Sequence, residues 1–328
     1  MNVLFVTDPL DTLQADIDAT VGLMAAAQAE GLGVWVCGPE ELAVSAGRLQ
    51  ARVRPVMLHA RSRGADHRWR IAAPWYDAGP AEVVDAATTF EAAMLRIDPP
   101  VDARYLHTTY LLDLAAAAGV RVVNNPAGVR ALHEKLVAFA LPDLSPTTVV
   151  AACPVLIEDF VRRHGTVVLK PVDGFAGTDV WLVEPGPGCR ALVESATAAG
   201  RRHVIAQEYL PAVAAGNKRL FVVDGEVVGA VLRRPSRDDF RIGAPVAEAA
   251  VDDADLRIAS TLAPLLSAHG IALAGLDVID GRLIEVNVTC PGGMHKTDAL
   301  LGTDLSGAIV RRLLVPSKLD PTKKELLP

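Results

Sequence analysis

The first third of the chain alternates short apolar runs with alanine-rich segments. The runs have the β-branched composition of strands, and the alanine-rich segments have that of helices. In chain order they are NVLFVTD (2–8), TVGLMAAAQAEG (20–31), GVWVCG (33–38), AAMLRIDPP (92–100), TYLLDLAAAAG (109–119) and VRVVNN (120–125). Strands that alternate with helices predict a parallel α/β layer. The polar region 52–76 fits either an antiparallel excursion or an exposed loop.

The pattern changes after about residue 123. A helix is predicted to open in NNPAGVRALHEKLVAF (124–139), with Asn125 as its cap and Pro126 at its first position. From Val149 onward the strands come as hairpins, and two of these hairpins contain the turn pairs Asp224-Gly225 and Asp280-Gly281. The predicted fold class is therefore α/β plus α+β.

These patterns predict three segments. Residues 1–122 form an N-terminal α/β domain, residues 123–313 form a second domain rich in antiparallel strands, and residues 314–328 form a flexible tail. The tail contains three prolines, two of which (Pro316 and Pro321) interrupt it, and few apolar residues that could be buried.

Composition narrows the function. The chain has 328 residues, of which 51% are hydrophobic and 22% charged, and its net charge is −7. This acidic balance argues against nucleic-acid binding, and no apolar run is long enough for a membrane span. The four cysteines are scattered and form no CxxC pair, which is typical of a reducing compartment. The N-terminus starts as a strand, without the features of a signal peptide, so we expect a cytoplasmic protein.

The late hairpin carries a candidate metal site. In LIEVNVT (283–289) the strand alternation places Glu285 and Asn287 on one face, and Asp277 lies on the preceding strand. Two carboxylates and an amide oxygen suit Mg²⁺. An odd-length loop, with Gly281 in a bulge, would bring Asp277 to the side of Glu285. The alternative is that these are solvent-facing polar positions on a half-buried hairpin.

Lysine is rare in this chain, and Lys170 stands out among the few that occur. It ends the apolar run VVLK, Pro171 follows at once, and Gly174 and Gly177 lie in the next loop. Glycine backbone can approach a phosphate closely, and lysine is a compact point charge. The alternative for Lys170, as for Lys135 and Lys218, is a solvated surface amine.

A family resemblance joins these motifs. The strings LRIDPP, NPAGVRALHEKL, VVLKPVDGFAG, IAQEYLP, GNKRLFVVDGE and GLDVIDGRLIEVNVTCP resemble those of the bacterial glutathione synthetases, in the same order. The resemblance covers the chain from Asn2 to about Leu313. It implies an ATP-grasp fold behind an N-terminal pre-ATP-grasp domain, with a lid subdomain at about 123–205 and a C-terminal subdomain at about 206–313.

The resemblance also implies a role for individual residues. Those expected to bind ATP are Lys135, Lys170, Asp173, Gly174, Gly177, Gln207, Glu208, Tyr209, Leu210, Asn217 and Lys218. Those expected at the transferring phosphate or acylphosphate are Lys218, Arg219, Arg233 and Arg241. Those expected to hold Mg²⁺, or Mn²⁺ in its place, are Asp277, Glu285 and Asn287. Those expected around the substrates are Asp8, Asp18, Arg96, Asp98, Cys290, Gly292 and Gly293.

The implied activity is ligation of a small-molecule carboxylate to an amine through an acylphosphate, with release of ADP and phosphate. A homo-oligomer, dimer or tetramer, is implied as well. The segment NVTCPGGMHK (287–296) departs from the family pattern where the peptide substrate is expected. Four readings therefore stay open: a glutathione synthetase using γ-glutamylcysteine and glycine, a ligase for another small peptide or amide, a nucleotide-binding protein without ligase activity, and a kinase that stops at phosphorylation.

Overall fold

The structure is a computed structural model that describes residues 1–174, 178–236 and 239–315. Its backbone divides into two compact units. Unit 1 comprises Met1–Arg96, Tyr110–Pro126 and the chain from Gly292 onward, and unit 2 comprises Ile97–Thr109 and Ala127–Pro291. The chain therefore returns to unit 1 at Gly292, whereas the division proposed from the sequence keeps all of 123–313 together.

Unit 1 is built on a mixed sheet of eight strands. Its strands are β1 (Asn2–Thr7), β2 (Gly33–Cys37), β3 (Leu42–Ser45), β4 (Arg48–Leu58), β7 (Tyr76–Ala78), β8 (Glu82–Asp85), β9 (Ala92–Arg96) and β10 (Arg121–Val123). A separate hairpin consists of β5 (Arg61–Arg63) and β6 (Trp69–Ile71). The helices are α1 (Ala19–Ala29), α2 (Ala86–Thr89), α3 (Ala103–Ala117), α8 (Met294–Leu301) and α9 (Leu305–Leu313). Residues 103–109 of α3 fall in unit 2.

The parallel layer predicted from the sequence is confirmed. The order is β10-β9-β1-β2-β4-β3, and the pairs β10–β9, β9–β1 and β1–β2 are parallel. Every residue of Val3–Thr7 is buried, as expected of a strand with both faces covered. The region 52–76 is the antiparallel excursion: β4 pairs with β2, β3, β7 and β8, and the β5–β6 hairpin follows it.

Unit 2 contains two antiparallel sheets. The first has the order β11-β14-β12-β13, and the second has the order β17-β16-β15-β18-β19. The strands are β11 (Thr148–Ala151), β12 (Val167–Pro171), β13 (Trp181–Val183), β14 (Val204–Glu208), β15 (Asn217–Val223), β16 (Glu226–Ser236), β17 (Asp239–Glu248), β18 (Leu273–Ile279) and β19 (Arg282–Asn287). The helices are α4 (Pro126–Ala131, whose first residue falls in unit 1), α5 (Pro154–His164), α6 (Cys189–Ala196) and α7 (Asp253–Ala268).

The first sheet of unit 2 has an apolar face against helices α5 and α6. Side chains of α5 and α6, among them Ile157, Phe160 and Val193, share one buried cluster with Val167 and Leu169 of β12. The predicted hairpin of 167–170 with 180–183 is confirmed, because Val167 pairs with Val183. Within the described part of the chain, no helix is both long and apolar enough to cross a membrane.

The helix predicted from Asn125 onward is shorter than expected. Helix α4 does begin at Pro126 but ends at Ala131, so Lys135 lies in a turn beyond it. The main-chain oxygen of Glu134 accepts a hydrogen bond from the Val286 amide at 3.0 Å. This segment bonds to β19 where a helix was predicted, so tertiary structure overrides local propensity here.

Asp18, one of the predicted substrate residues, has a structural role as the N-cap of α1. Its carboxylate accepts a hydrogen bond from the Thr20 amide at 2.7 Å. We predict that Asp18→Ala lowers the free energy of unfolding by about 1 kcal/mol, whereas Asp18→Asn, an equally good cap, changes it little. Urea denaturation measures both variants. Equal losses in the two would contradict the capping role.

Candidate active site

The β18–β19 hairpin brings the predicted metal residues together. Asp277 pairs with Glu285, and Gly275 pairs with Asn287. The predicted odd-length loop is wrong: Ile279 pairs with Arg282 across a two-residue turn, in which Asp280 and Gly281 have φ of 50° and 69°. Positive φ at both positions matches the twist of a tight hairpin. The register shift instead lies between Asp277 and Val278, and this bulge sets Asp277 opposite Glu285.

Two arginines hold the Asp277 carboxylate. Arg219 donates to it with two nitrogens, at 2.6 and 3.0 Å, and Arg233 donates from Nη2 at 2.5 Å. Asn217 Oδ1 in turn accepts from Nε and Nη2 of Arg233, at 3.1 and 2.7 Å. Burial by itself would raise the pKa of Asp277, but the two guanidinium groups outweigh it and lower the pKa to about 2. The carboxylate therefore stays ionised inside the protein.

Glu285 has a weaker set of partners. Lys135 Nζ lies 3.8 Å from its Oε1, too far for a hydrogen bond. Burial raises the pKa of Glu285; Lys135 opposes this effect and Asp277 adds to it. A further cation beside Glu285 would stabilise its charged form.

Asn287 completes an all-oxygen donor set. Its Nδ2 donates to the Gly275 carbonyl at 3.1 Å, which directs the amide nitrogen toward the backbone. Its Oδ1 accepts no hydrogen bond from any described residue. Across 1–174, 178–236 and 239–315, no three acidic, histidine or cysteine side chains form a complete metal cage. The set of Asp277, Glu285 and Asn287 is smaller and fits a hard ion that keeps other positions for water and phosphate.

Lys170 is buried with a neutral partner. Lys170 is only 8% exposed, and its Nζ donates a hydrogen bond to Gln207 Oε1 at 3.1 Å. Gln207 is fixed by donating from Nε2 to Thr148 Oγ1 at 3.0 Å. No carboxylate forms an ion pair with Lys170 within the described residues. Burial lowers the pKa of Lys170, which Glu285 opposes, so an anion bound here would stabilise the ammonium.

Lys135 reaches toward the glycine loop. Its Nζ donates to the carbonyls of Val172, at 3.2 Å, and of Gly174. Asp173 is mostly exposed, and its Oδ1 lies 3.6 Å from His133 Nε2. The loop predicted to cover phosphates is thus connected to Lys135 at its root. Gly177 lies outside the described residues.

Lys218, predicted to contact the phosphates, lies in this structure on the face of β15 opposite to Arg219. Neighbouring residues on a strand point to opposite faces, and Arg219 faces Asp277. Lys218 Nζ instead pairs with Asp252 at 2.5 Å and with Asp255 at 2.7 Å. Burial alone would lower the pKa of Lys218, but the two carboxylates outweigh it and raise the pKa.

The predicted adenine segment lies at the end of β14. Glu208 Oε2 accepts a weak hydrogen bond from the Thr147 amide at 3.4 Å, and the Tyr209 amide donates to Thr166 O at 3.2 Å. Leu210 follows and begins a short 3-10 turn. Gln207 therefore links this segment to Lys170 directly. Arg241 lies exposed on β17, the strand that pairs with β16.

The predicted substrate residues are divided between the units. In unit 1, Asp8 follows β1 and Arg96 ends β9, the parallel strand beside it, where Thr7 pairs with Arg96. Arg96 Nε donates to Thr20 Oγ1 at 3.2 Å. A cavity of about 350 Å³ at the ends of β1 and β2 is lined by residues that include Asp8, Asp11, Glu40, Glu41, Arg54 and Tyr76. Asp98 and Cys290 belong to unit 2, and Gly292 and Gly293 to unit 1.

Sequence reasoning missed two residues. Gly275 lies beside the Arg219 guanidinium, since a Cβ on it would meet Arg219 Nη1 at 2.9 Å. An isolated glycine inside a strand is the available signal for such a close approach. Glu134 is the second: its Oε1 accepts hydrogen bonds from the amides of Val288 and Thr289 at 2.9 and 3.0 Å. No local pattern in HEKL indicates that contact.

Two family models match the chain. The model of the prokaryotic glutathione synthetase N-terminal domain matches residues 1–130, and that of the prokaryotic glutathione synthetase ATP-grasp domain matches residues 134–302. Among curated relatives, a glutathione synthetase of Prochlorococcus marinus (strain MIT 9313) is 40% identical over 320 residues, which cover 96% of this chain and 99% of the relative. A glutathione synthetase of Thermosynechococcus vestitus is 38% identical over 315 residues, covering 94% and 98%.

Solved structures agree on the fold. A RimK domain protein of the ATP-grasp type from Sphaerobacter thermophilus has a TM-score of 0.61 at 23% identity, covering 96% of this chain and all of that one. A D-cycloserine synthetase has a TM-score of 0.62 at 20% identity, covering 95% and 100%. The predicted ATP-grasp fold is confirmed, and the family implies use of ATP and a divalent metal ion. The chain therefore belongs to the prokaryotic glutathione synthetase family, whose members are ATP-dependent ligases that join a carboxylate to an amine with formation of ADP and phosphate.

Proposed function

We propose that the ATP triphosphate binds between Lys135, Lys170 and the carboxylates of Asp277 and Glu285. The observation that carries this proposal is the buried Lys170 ammonium, whose one hydrogen-bond acceptor in the described chain is the neutral Gln207 side chain. Burying a cation without an anionic partner is costly, so such a group is best explained by an anion that arrives with the substrate. Polyphosphate supplies that anion.

The same residues fit the proposed Mg²⁺ ion. Asp277, Glu285 and Asn287 would hold it, because their oxygens share one face of the hairpin and Glu285 has the weaker pairing. When bound, the ion would neutralise phosphate oxygens and help to orient them. Arg219 and Arg233 keep Asp277 ionised and fixed in place for this role.

The proposed chemistry has two steps. A substrate carboxylate oxygen attacks the γ-phosphorus, the bond to the bridging oxygen of ADP breaks, and an acylphosphate forms. The amine nitrogen then attacks the carbonyl carbon and loses a proton, the bond to phosphate breaks, and an amide results. Lys135, Lys170 and Arg233 contribute positive charge and positioning, which are the main requirements of phosphoryl transfer. Arg241 is proposed to act near the acylphosphate.

The substrate pair proposed first is γ-glutamylcysteine with glycine. It is supported by the relatives named glutathione synthetase, which align with nearly the whole chain. A second candidate, ligation of another small peptide or amide, is favoured by the altered segment 287–296, which contains Cys290, Gly292 and Gly293. Asp8, Arg96 and Asp98 are proposed to contribute to the substrate site as well, as is Asp18 in addition to its capping role.

We also infer a homo-oligomer in the cytoplasm. The family resemblance supports oligomerisation. The four cysteines Cys37, Cys153, Cys189 and Cys290 are free thiols, as expected in a reducing compartment. Light scattering of the purified chain measures the oligomeric state, and a monomer mass would refute the first inference.

We predict that ADP release requires both an acid and an amine. Purified enzyme with MgATP is screened over γ-glutamylcysteine and related carboxylic acids crossed with glycine and other amines, and products are identified by mass spectrometry. An amide with the mass of glutathione, formed with stoichiometric ADP, is expected if the first candidate is correct. A different amide would select the second candidate. ATP turnover without any amide would contradict ligation.

Lys170→Met is predicted to reduce kcat/KM by at least about 100-fold, because the removed ammonium is proposed to neutralise transferring phosphate. Glu285→Gln is expected to cause a loss of similar size.

Lys218→Met is expected to lower stability, since Asp255 would lose its cation, while kcat stays within about threefold of wild type. Steady-state kinetics and thermal melting measure these effects. Near-normal activity of Lys170→Met would contradict the assigned phosphate site.

Gly275→Ala is predicted to displace the Arg219 guanidinium and to lower kcat by about tenfold. Gly186→Ala is the matched control, because a Cβ there would meet no atom within 4 Å. Both variants are compared by kinetics and by urea denaturation. Equal activity in the two would show that the position of Arg219 does not limit turnover.

A further inference from the structure

The turn after α4 is tied to β19 through a single residue, Glu134. Its main-chain oxygen accepts from the Val286 amide at 3.0 Å. Its Oε1 accepts from the Val288 amide at 2.9 Å, the Thr289 amide at 3.0 Å and the Thr289 hydroxyl at 2.6 Å. Four hydrogen bonds therefore fix this one residue along the chain from 286 to 289.

These contacts occur where the sheet ends. Strand β19 stops at Asn287, so the amides of Val288 and Thr289 leave the ladder with β18 and need other acceptors. A carboxylate oxygen is a strong acceptor for several donors at once. Glu134 thus supplies the hydrogen-bond acceptor for the two residues that follow β19 and fixes the path of the chain at Val288 and Thr289.

The neighbour of Glu134 is Lys135, whose Nζ lies 3.8 Å from Glu285 Oε1 and donates to the Val172 and Gly174 carbonyls. Because the Glu134 oxygen is bonded to Val286, between Glu285 and Asn287, the register of Lys135 against the carboxylate strand is fixed. One residue therefore connects Lys135, the strand that carries Glu285 and Asn287, and the two residues that follow that strand.

We propose that Glu134 is a positioning residue that holds Lys135 and residues 286–289 in the arrangement needed for amide formation. This proposal rests on the proposed function of the same site. It assigns Glu134 no contact with the reacting atoms. A displacement of about 1 Å at such a site can reduce the rate by about 100-fold, so the loss is expected in kcat more than in nucleotide affinity.

The experiment compares Glu134→Ala, Glu134→Gln, Thr289→Val and Thr289→Ser. Asp85→Ala is the matched control, because the Asp85 carboxylate also accepts two backbone amides, those of Ala87 and Thr88, at 3.0 and 3.3 Å in unit 1. Each variant is measured for thermal melting, for kcat and KM with the best acid and amine, and for ADP affinity by calorimetry. Amide hydrogen exchange of the peptide spanning 286–290 is followed by mass spectrometry.

For Glu134→Ala we expect faster exchange at 288 and 289, a fall in kcat of about tenfold or more, and an ADP Kd within about threefold of wild type. Glu134→Gln, which keeps an acceptor oxygen without the charge, is expected to fall between Glu134→Ala and wild type. Thr289→Ser is expected to retain activity that Thr289→Val loses. In the Glu134→Ala background, Thr289→Val is expected to lower kcat little further.

Wild-type kcat in Glu134→Ala would overturn the proposal, as would a fall no greater than in Asp85→Ala at an equal loss of melting temperature. If Glu134→Ala does not fold, Glu134→Gln is combined with each of the two Thr289 variants instead. Fully additive effects on kcat would refute the coupling between Glu134 and Thr289. Absence of amide from wild-type enzyme would refute the proposed function instead. Amide hydrogen exchange would then still test whether Glu134 positions residues 288 and 289, because unchanged exchange there in Glu134→Ala refutes that role.

Discussion

The buried network of Asp277 with Arg219 and Arg233 is the constraint on which the candidate site depends. Three charged groups inside a sheet are tolerated only because they satisfy one another, and Asn217 accepts further hydrogen bonds from Nε and Nη2 of Arg233. The network fixes both arginines and keeps the carboxylate ionised. It also explains a glycine at position 275, where no side chain fits beside Arg219.

One extra residue in β19, Ile284, decides which side chains share that site. The hairpins β15–β16 and β18–β19 have the same layout. Each has a two-residue Asp-Gly turn, and in each the register shift lies between the second and third residue pairs counted from the turn. In the first hairpin the shift sets Phe221 opposite Gly229, and in the second it sets Asp277 opposite Glu285. Without the bulge Asp277 would face Ile284, since slipping a strand by one residue exchanges its faces.

Charge distribution makes the site suited to a polyanion. Lys135, Lys170, Arg219 and Arg233 bring four positive charges to the neighbourhood of the two carboxylates on the β18–β19 hairpin. Lys170 contributes most clearly, because its pKa is lowered by burial and a bound phosphate would reverse that effect. Lys218, one residue from Arg219, is instead neutralised on the opposite face by Asp252 and Asp255.

The sequence alone predicts the parallel layer of unit 1 and the hairpins of unit 2, and it singles out Lys170, Asp277 and Glu285 as candidates for chemistry. These follow from periodicity, Asp-Gly turns and rare residue types, which are local properties. Three outcomes came from tertiary contacts: Lys218 faces away from Arg219, α4 ends before Lys135, and Glu134 accepts the amides that follow β19. Those outcomes depend on hydrogen bonds and ion pairs between residues far apart in the chain, as between Glu134 and Thr289. Local sequence carries no record of such partners.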